Sequence, residues 1–495
     1  MNCLEQLGKR ILYWDGGMGS LLQERGLKGG ELPEIWNVTH REDVIAIHQA
    51  YLEAGADIIN ANTFGANRIK YPQGKEHTLR SVIEAAFENA REAKKRSGRE
   101  DACVALDVGP TGKLLEPLGD LAFEDAVAIF AEIMQIGKEC GADLVLIETM
   151  SDAYEAKAAV VAAKEQTDLP VFVTMVYNES KKLLTGTSPE AVVSTMEGLG
   201  VTALGVNCGM GPAQMREVAK ELLENASVPV IVNPNAGLPR RENGKNVYDV
   251  TPEAFAEIMS EIAKDGAWIV GGCCGTTPEH IRLTKQACDR VNPLPIQPKK
   301  KTVISTHGMA VTLCGEPVAV GTQIDPAVSE DVKEALLDED FDSILDEATE
   351  MEDDGADVIR VCVAMPEADE ETLLPETILE LQTYMKTPLQ ICTENPKALD
   401  QALRIYNGKA MIHAVNGMQE RMDQIFPLAK KYGAVVVAEL ADENGVVKNE
   451  EERTVIAKKI CQAAKQSGIA MENLVYDMQP EEDESVFAVL ETLCR

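Results

Sequence analysis

Three cysteines stand among glycines in two distant segments, each directly after an apolar run: Cys208 in GVNCG, and Cys273 and Cys274 in GGCCG. Three thiolates that leave one coordination position open are the ligand set of a catalytic zinc site rather than a structural one. Zinc held in this way accepts and deprotonates a substrate thiol, which is then a nucleophile at neutral pH. The pattern therefore predicts an enzyme with Zn²⁺ on these three sulfurs and a thiol as its substrate.

The same cysteines have two plainer interpretations: they could be small buried hydrophobic residues, or Cys273 and Cys274 could form a strained vicinal disulfide. Three cysteines in matching glycine settings favour the metal site over both. We interpret the other nine cysteines as ordinary buried residues. His280 lies beyond Cys274, at the predicted start of a helix, and we expect it on the surface.

Two carboxylates, Asp15 and Glu148, also end long apolar runs. Buried charge is costly without a partner, so each could pair with backbone amides of its own loop. Alternatively, both could receive the ammonium group of an amino-acid substrate, whose carboxylate would bind the glycine-rich loop after Asp15. Asn207 and Asn235 end neighbouring apolar runs and would orient the substrate as neutral donors and acceptors.

A recurring sequence pattern marks the secondary structure elements that must position these residues. In this pattern a helical stretch is followed by Gly-Ala and then by a run of β-branched residues. Glycine after a helix is a natural C-cap, and the apolar run reads as a strand buried on both faces. Such alternation predicts parallel β/α architecture. Before residue 281 the predicted strands number eight: Ile11–Asp15, Asp57–Asn62, Ala102–Val108, Asp143–Glu148, Pro170–Val176, Ala203–Asn207, Val230–Asn233 and Trp268–Gly271.

Eight such strands predict a (β/α)8 barrel over residues 1–290, with its active site at the carboxyl ends of the strands. An open doubly wound sheet is the alternative, but no Gly-x-Gly-x-x-Gly follows the first strand. The segment 291–302, VNPLPIQPKKKT, reads as a linker. Residues 303–495 contain only six predicted strands, which indicates a second, smaller incomplete-barrel α/β domain.

Composition narrows the function classes further. The chain of 495 residues has a net charge of −34, and from Thr302 onward it holds 15 basic and 39 acidic residues. We therefore expect neither nucleic acid nor an anionic membrane as a partner. With no signal-peptide core, no membrane span and twelve cysteines, we expect a cytoplasmic protein whose cysteines form no disulfide framework.

Six segments of the first 290 residues carry a family resemblance by their order: DGGMGSLLQERG, EAGADIINANTFGAN, LIETMSD, GVNCG, NPNAG and GGCCGTTPEHI. They resemble the homocysteine S-methyltransferase family, to which the Cys…Cys-Cys arrangement is specific. Within it, the pattern is most similar to the N-terminal homocysteine module of cobalamin-dependent methionine synthase. The resemblance implies a zinc-binding barrel on Cys208, Cys273 and Cys274, with homocysteine surrounded by Asp15, Glu148, Asn207 and Asn235.

Residues 303–495 resemble the pterin-binding methyltetrahydrofolate domain more faintly. That domain places Asp and Asn at successive strand ends, where this chain has Arg360, Cys362, Cys392 and His413; Asp477 alone is kept. A pterin needs several buried polar contacts at once, so we expect that folate binding is lost. The last two strands of the domain are also missing.

The leading prediction is thus a zinc-dependent homocysteine methyltransferase whose methyl donor is a methylcobalamin-type corrinoid on a separate protein, because the corrinoid-module signature Asp-x-His-x-x-Gly is absent. Two alternatives stay open. One keeps the chemistry and takes the methyl group from methyltetrahydrofolate or S-methylmethionine. The other is a non-catalytic subunit of a multi-protein methyl-transfer system.

Overall fold

The computed structural model describes residues 3–477 except 75, 243–244, 314–317 and 448. The chain divides into two compact units. The first comprises Met1–Glu197 with Val201–Lys299, and the second comprises Gly198–Gly200 with Lys300–Arg495. The main boundary therefore falls inside the stretch 291–302 that the sequence predicts as a linker.

The first unit is built on eight parallel strands, which lie in the order β1-β8-β7-β6-β5-β4-β3-β2. A parallel bridge between Trp14 and Ile58 then joins the β1 end of the sheet to β2. This arrangement confirms the predicted (β/α)8 barrel. The strands are β1 Leu12–Tyr13, β2 Ile58–Asn60, β3 Cys103–Val108, β4 Leu144–Met150, β5 Val171–Met175, β6 Ala203–Asn207, β7 Val230–Asn233 and β8 Ile269–Val270.

Helices follow the strands, and several helices end at the glycines that the sequence pattern predicts as C-caps. Gly55 caps the helix before β2 with a φ of 102°, a left-handed conformation that glycine adopts at little cost. The helices of this unit are α1 Met18–Glu24, α2 Trp36–Thr39, α3 Arg41–Ala54, α4 Leu79–Ser97, α5 Phe123–Glu139, α6 Ala153–Gln166, α7 Pro189–Gly198, α8 Pro212–Asn225, α9 Pro252–Asp265 and α10 Pro278–Cys288.

The barrel interior is apolar toward the amino ends of the strands and polar at the carboxyl ends. Leu144 and Leu146 of β4 belong to a fully buried interior cluster that also holds Trp14 and Phe172, whose rings lie 5.9 Å apart. Because inward positions on a strand alternate, the next inward residue of β4 is Glu148. Strand period alone therefore carries this carboxyl group to the mouth of the barrel.

One disulfide among the described residues differs from the sequence interpretation, which expected no disulfide framework and took both cysteines for ordinary buried residues. Cys3, in the 3₁₀ helix Cys3–Gln6, is bonded to Cys103 at the start of β3, and both residues are buried. The two positions are 100 residues apart in sequence. Barrel closure brings them together, so no local pattern could have indicated the pair.

Gly205 on β6 sets how closely β6 and β7 pack below the cysteine loops. A Cβ at this position would meet the carbonyl oxygen of Ile231 at 2.0 Å, and a backbone atom cannot move aside easily. We expect Gly205→Ala to lower the free energy of unfolding by about 3 kcal/mol, measured by calorimetry. Gly19→Ala, where a Cβ meets nothing within 4 Å in α1, is the matched control and should leave stability unchanged or slightly higher. Equal melting temperatures for both variants would contradict the packing argument.

The described part of the second unit contains a sheet of six parallel strands, ordered along the chain as β9 to β14. This confirms the predicted second α/β domain, and the six described strands match the number that the sequence predicts. Its strands are β9 Val320–Ile324, β10 Val358–Cys362, β11 Leu389–Cys392, β12 Met411–Val415, β13 Val435–Glu439 and β14 Leu474–Asp477. Its helices are α11 Glu330–Leu337, α12 Phe341–Asp353, α13 Glu370–Tyr384, α14 Pro396–Ile405, α15 Gln419–Tyr432 and α16 Glu450–Ser467.

The two faces of this sheet are covered differently. The helices pack on one face over a large apolar core. On the other face, Ile304 of the antiparallel hairpin Val303–Ser305 and Ala310–Thr312 packs against Val358, Met411 and Val435, which all lie at the amino ends of their strands. The carboxyl ends of the strands on that face carry polar side chains instead. No helix in the described part of either unit combines the length and the apolarity needed to cross a membrane.

Candidate functional site

Three sulfur atoms converge at the mouth of the first unit. Cys208 directly follows β6, and Cys273 and Cys274 follow β8. Their Sγ atoms all lie within 4.8 Å of one another, and those of Cys208 and Cys274 are 4.0 Å apart. All three thiols are free and partly buried, so neither the vicinal disulfide nor the fully buried interpretation describes them.

The backbone leaves regular strand geometry at each of these cysteines, which is why adjacent residues can reach one point. Cys208 has a φ of 56°, in the left-handed region. After β8, the amide of Cys273 donates to the carbonyl of Pro234 (2.8 Å), and the carbonyl of Cys274 accepts from Ala236 (3.0 Å). The loop after β7 therefore holds both neighbouring cysteines by their main chains and leaves their side chains free.

Gly275 completes this turn with a φ of 77°, and its α-carbon packs against an aromatic ring. A Cβ there would meet Cγ of Tyr248 at 2.2 Å. The Tyr248 side chain lies over the Cys274 sulfur, and burial together with the nearby thiols raises the pKa of its hydroxyl. The tyrosine is therefore a neutral cover on one side of the thiol cluster.

The donor set fits a zinc ion. Two sulfurs that are each about 2.3 Å from one tetrahedral zinc lie roughly 3.8 Å apart, which is close to the observed spacing of Cys208 and Cys274. Hydrogen bonds from the Cys273 and Cys274 thiols lower the pKa of the Cys208 thiol, which favours its thiolate form. Among the described residues, the three cysteines are the group of ligand atoms close enough to share one ion.

Asn207 ties this cluster to the neighbouring strand. Its Nδ2 donates to Thr149 Oγ1 (2.8 Å) and lies 3.8 Å from the Cys273 sulfur, while its Oδ1 accepts from the Thr149 amide (3.0 Å). Thr149 has a φ of 61°, so the end of β4 is bent toward this contact. Asn235 is buried on the other side, where it hydrogen-bonds the Cys208 thiol.

A cluster of carboxyl groups lies beside the sulfurs, in which Asp15 and Asp107 are buried and Glu148 is partly buried. Burial raises the pKa of Asp15 and Asp107 well above the usual range. Burial also raises the pKa of Glu148 to about 7, and the Cys208 thiolate adds to that rise. Asp15 is partly compensated, since its Oδ2 accepts from the amide of Asn60 at 2.9 Å. Three carboxyl groups in one low-dielectric space form a site that favours a cation such as an ammonium group.

Polar atoms without partners point to a polar ligand at this mouth. Within the part of the chain that the structure describes, Oδ1 of Asp107, Asn233 and Asn235 is buried and has no hydrogen-bond partner. Buried polar groups are paired in most native structures, because an unpaired group loses its hydration without compensation. A bound amino acid would supply the missing donors.

The structure brings all seven sequence-predicted site residues to this mouth and adds others. Asp107, Thr149 and Tyr248 were not among the candidates. Asp107 lies one residue before the end of β3 and could have been found by that position, whereas Tyr248 carries no local signal. His280 is a correction: it is 5% exposed, not on the surface, and its ring packs edge-on against Phe255 and caps α10 through Thr277.

The fold and the site define a (β/α)8 barrel with a three-thiol centre beside a buried acidic cluster. Residues 12–288 match the family model of the homocysteine S-methyltransferases, and residues 328–482 match the model of pterin-binding enzymes. Because the first match covers more than half of the chain, the chain belongs to the homocysteine S-methyltransferase family, whose members are methyl-transferring enzymes.

Similar proteins extend over both units. The methionine synthases of Mycobacterium tuberculosis and Mycobacterium leprae each share 29% sequence identity with this chain, in alignments that cover 99% of it. The chain spans 43% of the length of each of these relatives. The chain is also similar to a crystal structure of the homocysteine methyltransferase MmuM from Escherichia coli in its metallated form. The match covers 57% of this chain and 98% of the MmuM chain, with 24% sequence identity and a TM-score of 0.49.

Proposed function

We propose that this chain is a zinc-dependent methyltransferase that converts homocysteine to methionine, with a methylated corrinoid on a separate protein as the methyl donor. Residues 1–290 would form the catalytic domain and residues 303–495 a second domain without catalytic folate. The observation that carries the proposal is the convergence of three sulfurs beside three carboxyl groups, two of which are buried. A thiol group and an ammonium group on one small molecule match these two features.

Cys208, Cys273 and Cys274 would hold the zinc ion, which supplies a Lewis acid that lowers the pKa of a substrate thiol. The chain's own groups would orient the rest of the substrate. Asp15, Asp107 and Glu148 would receive the ammonium group and, in doing so, regain their charge. Asn235 would offer its free Oδ1 as a hydrogen-bond acceptor to the same group.

Asn207 has a supporting role in this arrangement. It lies between the bent end of β4 and the Cys273 sulfur, and both ends of its amide are used. It would therefore keep the acidic cluster and the sulfur cluster at a constant separation. The thiol and the ammonium group of homocysteine are separated by a fixed number of bonds, so such spacing would favour one thiol over shorter or longer ones.

A donor screen tests the proposal. The zinc-loaded full chain is mixed with homocysteine and one donor at a time, namely methylcobalamin, methyltetrahydrofolate or S-methylmethionine, and methionine is measured. We expect methionine with methylcobalamin alone. Methionine with S-methylmethionine only would keep the thiol chemistry and overturn the donor. A chain that takes up no zinc when it is incubated with the metal, and that forms no methionine with any donor, would instead support a non-catalytic subunit.

One observation favours a second candidate, in which methyltetrahydrofolate is the donor: residues 328–482 match the pterin-binding family model. The strand ends of this unit do not support it. Arg360, Cys362, Cys392 and His413 occupy them, and Arg360 lies 3.3 Å from the Cys392 sulfur rather than free for a ligand. Calorimetric titration of the full chain with methyltetrahydrofolate decides between the two, and we expect no binding heat.

A further inference from the structure

A second cluster of reactive groups lies in the second unit, on the sheet face opposite the helices. Cys362 of β10, Cys392 of β11 and His413 of β12 are in register with one another across three neighbouring parallel strands. In-register residues of a parallel sheet have side chains on the same face. The three groups therefore form one row at the carboxyl ends of their strands, the edge where functional residues of such sheets collect.

The contacts within this row activate Cys392. Its sulfur lies 3.7 Å from Nδ1 of His413 and 3.3 Å from Nη2 of Arg360. On the far side of the imidazole, Nε2 of His413 lies 3.3 Å from Oδ2 of Asp477. A thiol beside an imidazole that lies at ion-pair distance from a carboxylate is an arrangement that favours a thiolate nucleophile.

The charges agree with this geometry. Burial would lower the pKa of His413, but Asp477 and Cys392 outweigh it and raise the pKa to about 9. The hydrogen bond from Cys362, together with His413 and Arg360, lowers the pKa of the Cys392 thiol. The titratable and charged groups that act on this sulfur are Arg360, Cys362, Glu370 and His413. Behind them, Asp325 pairs with Arg360 and Asp477 pairs with His413.

Cys362 lies close enough to Cys392 for the two cysteines to form a disulfide with each other. Neighbouring parallel strands are about 4.8 Å apart, which is within the range of Cα separations that a disulfide spans. Both cysteines are free and only partly buried, so a small molecule can reach them. The Arg360 guanidinium beside the Cys392 sulfur would repel a metal cation, which argues against a second metal centre.

We propose that the second unit is a thiol–disulfide exchange site for small uncharged disulfides, with Cys392 as the attacking thiolate and Cys362 as the resolving thiol. The Cys392 thiolate attacks one sulfur of the substrate, the substrate S–S bond breaks, and one thiolate leaves. Cys362 then loses its proton to that leaving group and attacks the Cys392 sulfur, which releases the second thiolate. The substrate gains two electrons, the two cysteines lose them, and an excess of small thiol reverses the exchange.

The many acidic side chains of this unit explain the choice of an uncharged substrate, because they would repel an anionic disulfide such as oxidised glutathione. The proposal does not depend on zinc or homocysteine chemistry in the first unit. It also explains why the polar residues at the four strand ends lie close together although they are not the Asp and Asn residues of a pterin site.

The full chain is treated with 2-hydroxyethyl disulfide, digested with trypsin and mapped by mass spectrometry. Cys362 and Cys392 lie on separate peptides, residues 361–386 and 387–397, so a bond between them is seen directly. We expect linked peptides in the unaltered chain, a stable mixed disulfide on Cys392 in Cys362→Ser, and neither product in Cys392→Ser. Cys461→Ser is the matched control, because that sulfur contacts Met471 in the same unit, and it should behave as the unaltered chain.

A second measurement does not depend on disulfide formation. The pH midpoint for iodoacetamide alkylation of Cys392 should lie below about 6 and rise by at least about one unit in His413→Gln, because the imidazolium no longer stabilises the thiolate. Circular dichroism checks that each variant is folded. Absence of the linked peptides, a midpoint that His413→Gln does not move, or protection of Cys392 by stoichiometric zinc would each overturn the proposal.

Discussion

Cys208→Ala is expected to reduce bound zinc from about one ion per chain to none and to lower the rate of methyl transfer to homocysteine at least about 1,000-fold. Lewis-acid activation contributes several kcal/mol to the barrier, and each 1.4 kcal/mol corresponds to about a factor of ten. Two thiolates do not form a zinc site of comparable affinity, and the Cys208 side chain lies at the centre of the cluster. Metal analysis and initial rates measure the two effects together.

The control for this variant is Cys140→Ala, which removes another free, partly buried thiol of the first unit. It should keep its zinc and its activity. Cys208→Ala with full zinc would show that the metal, where present, uses other ligands. Cys208→Ala without zinc but with full activity would mean that the thiol cluster has no part in the chemistry.

Glu148→Gln is expected to raise the KM for homocysteine about 100-fold while zinc content stays unchanged, because it leaves the substrate ammonium group without one of its buried counter-charges. Glu148 is partly buried, and desolvation raises the pKa of its carboxyl group to about 7, so pairing with a cation is what would keep it ionised. Glutamine has almost the same shape, and the change therefore tests charge rather than packing.

A comparison of substrates makes this test specific. 4-Mercaptobutyrate is homocysteine without the amino group, and the unaltered chain should strongly prefer homocysteine over it. In Glu148→Gln that preference should fall by the same factor as the KM rises. Glu84→Gln, on the exposed surface of α4, is the matched control. An unchanged preference in Glu148→Gln would show that the ammonium group of the substrate does not bind in this pocket.

The row of Cys362, Cys392 and His413 suggests a function for the second unit that its differences from a pterin site did not suggest. Considered singly, each of the four strand-end residues only replaces an Asp or Asn that would bind a pterin; these residues are Arg360, Cys362, Cys392 and His413. Together they are two thiols, a guanidinium and an imidazole within hydrogen-bonding range of one another. This difference arises from strand register, which pairs residues that lie about twenty to thirty positions apart.

Local sequence by itself determined most of the first unit. Glycine C-caps and β-branched runs are short-range signals, and they placed all eight barrel strands and all six strands of the second sheet. Once the barrel is closed, the carboxyl ends of its strands must share one mouth. Cys208, Cys273, Cys274, Asp15 and Glu148 could be assigned to that mouth for this reason, without knowledge of any distance.

Only the tertiary structure decided which of these groups act on one another. Asp107 became part of the acidic cluster because desolvation and the fields of neighbouring carboxyl groups depend on three-dimensional position, not on sequence spacing. The Cys3–Cys103 disulfide and the burial of His280 depend on barrel closure and helix packing in the same way. Residue type and strand period therefore determined where the chemistry lies, and packing decided its charges and partners.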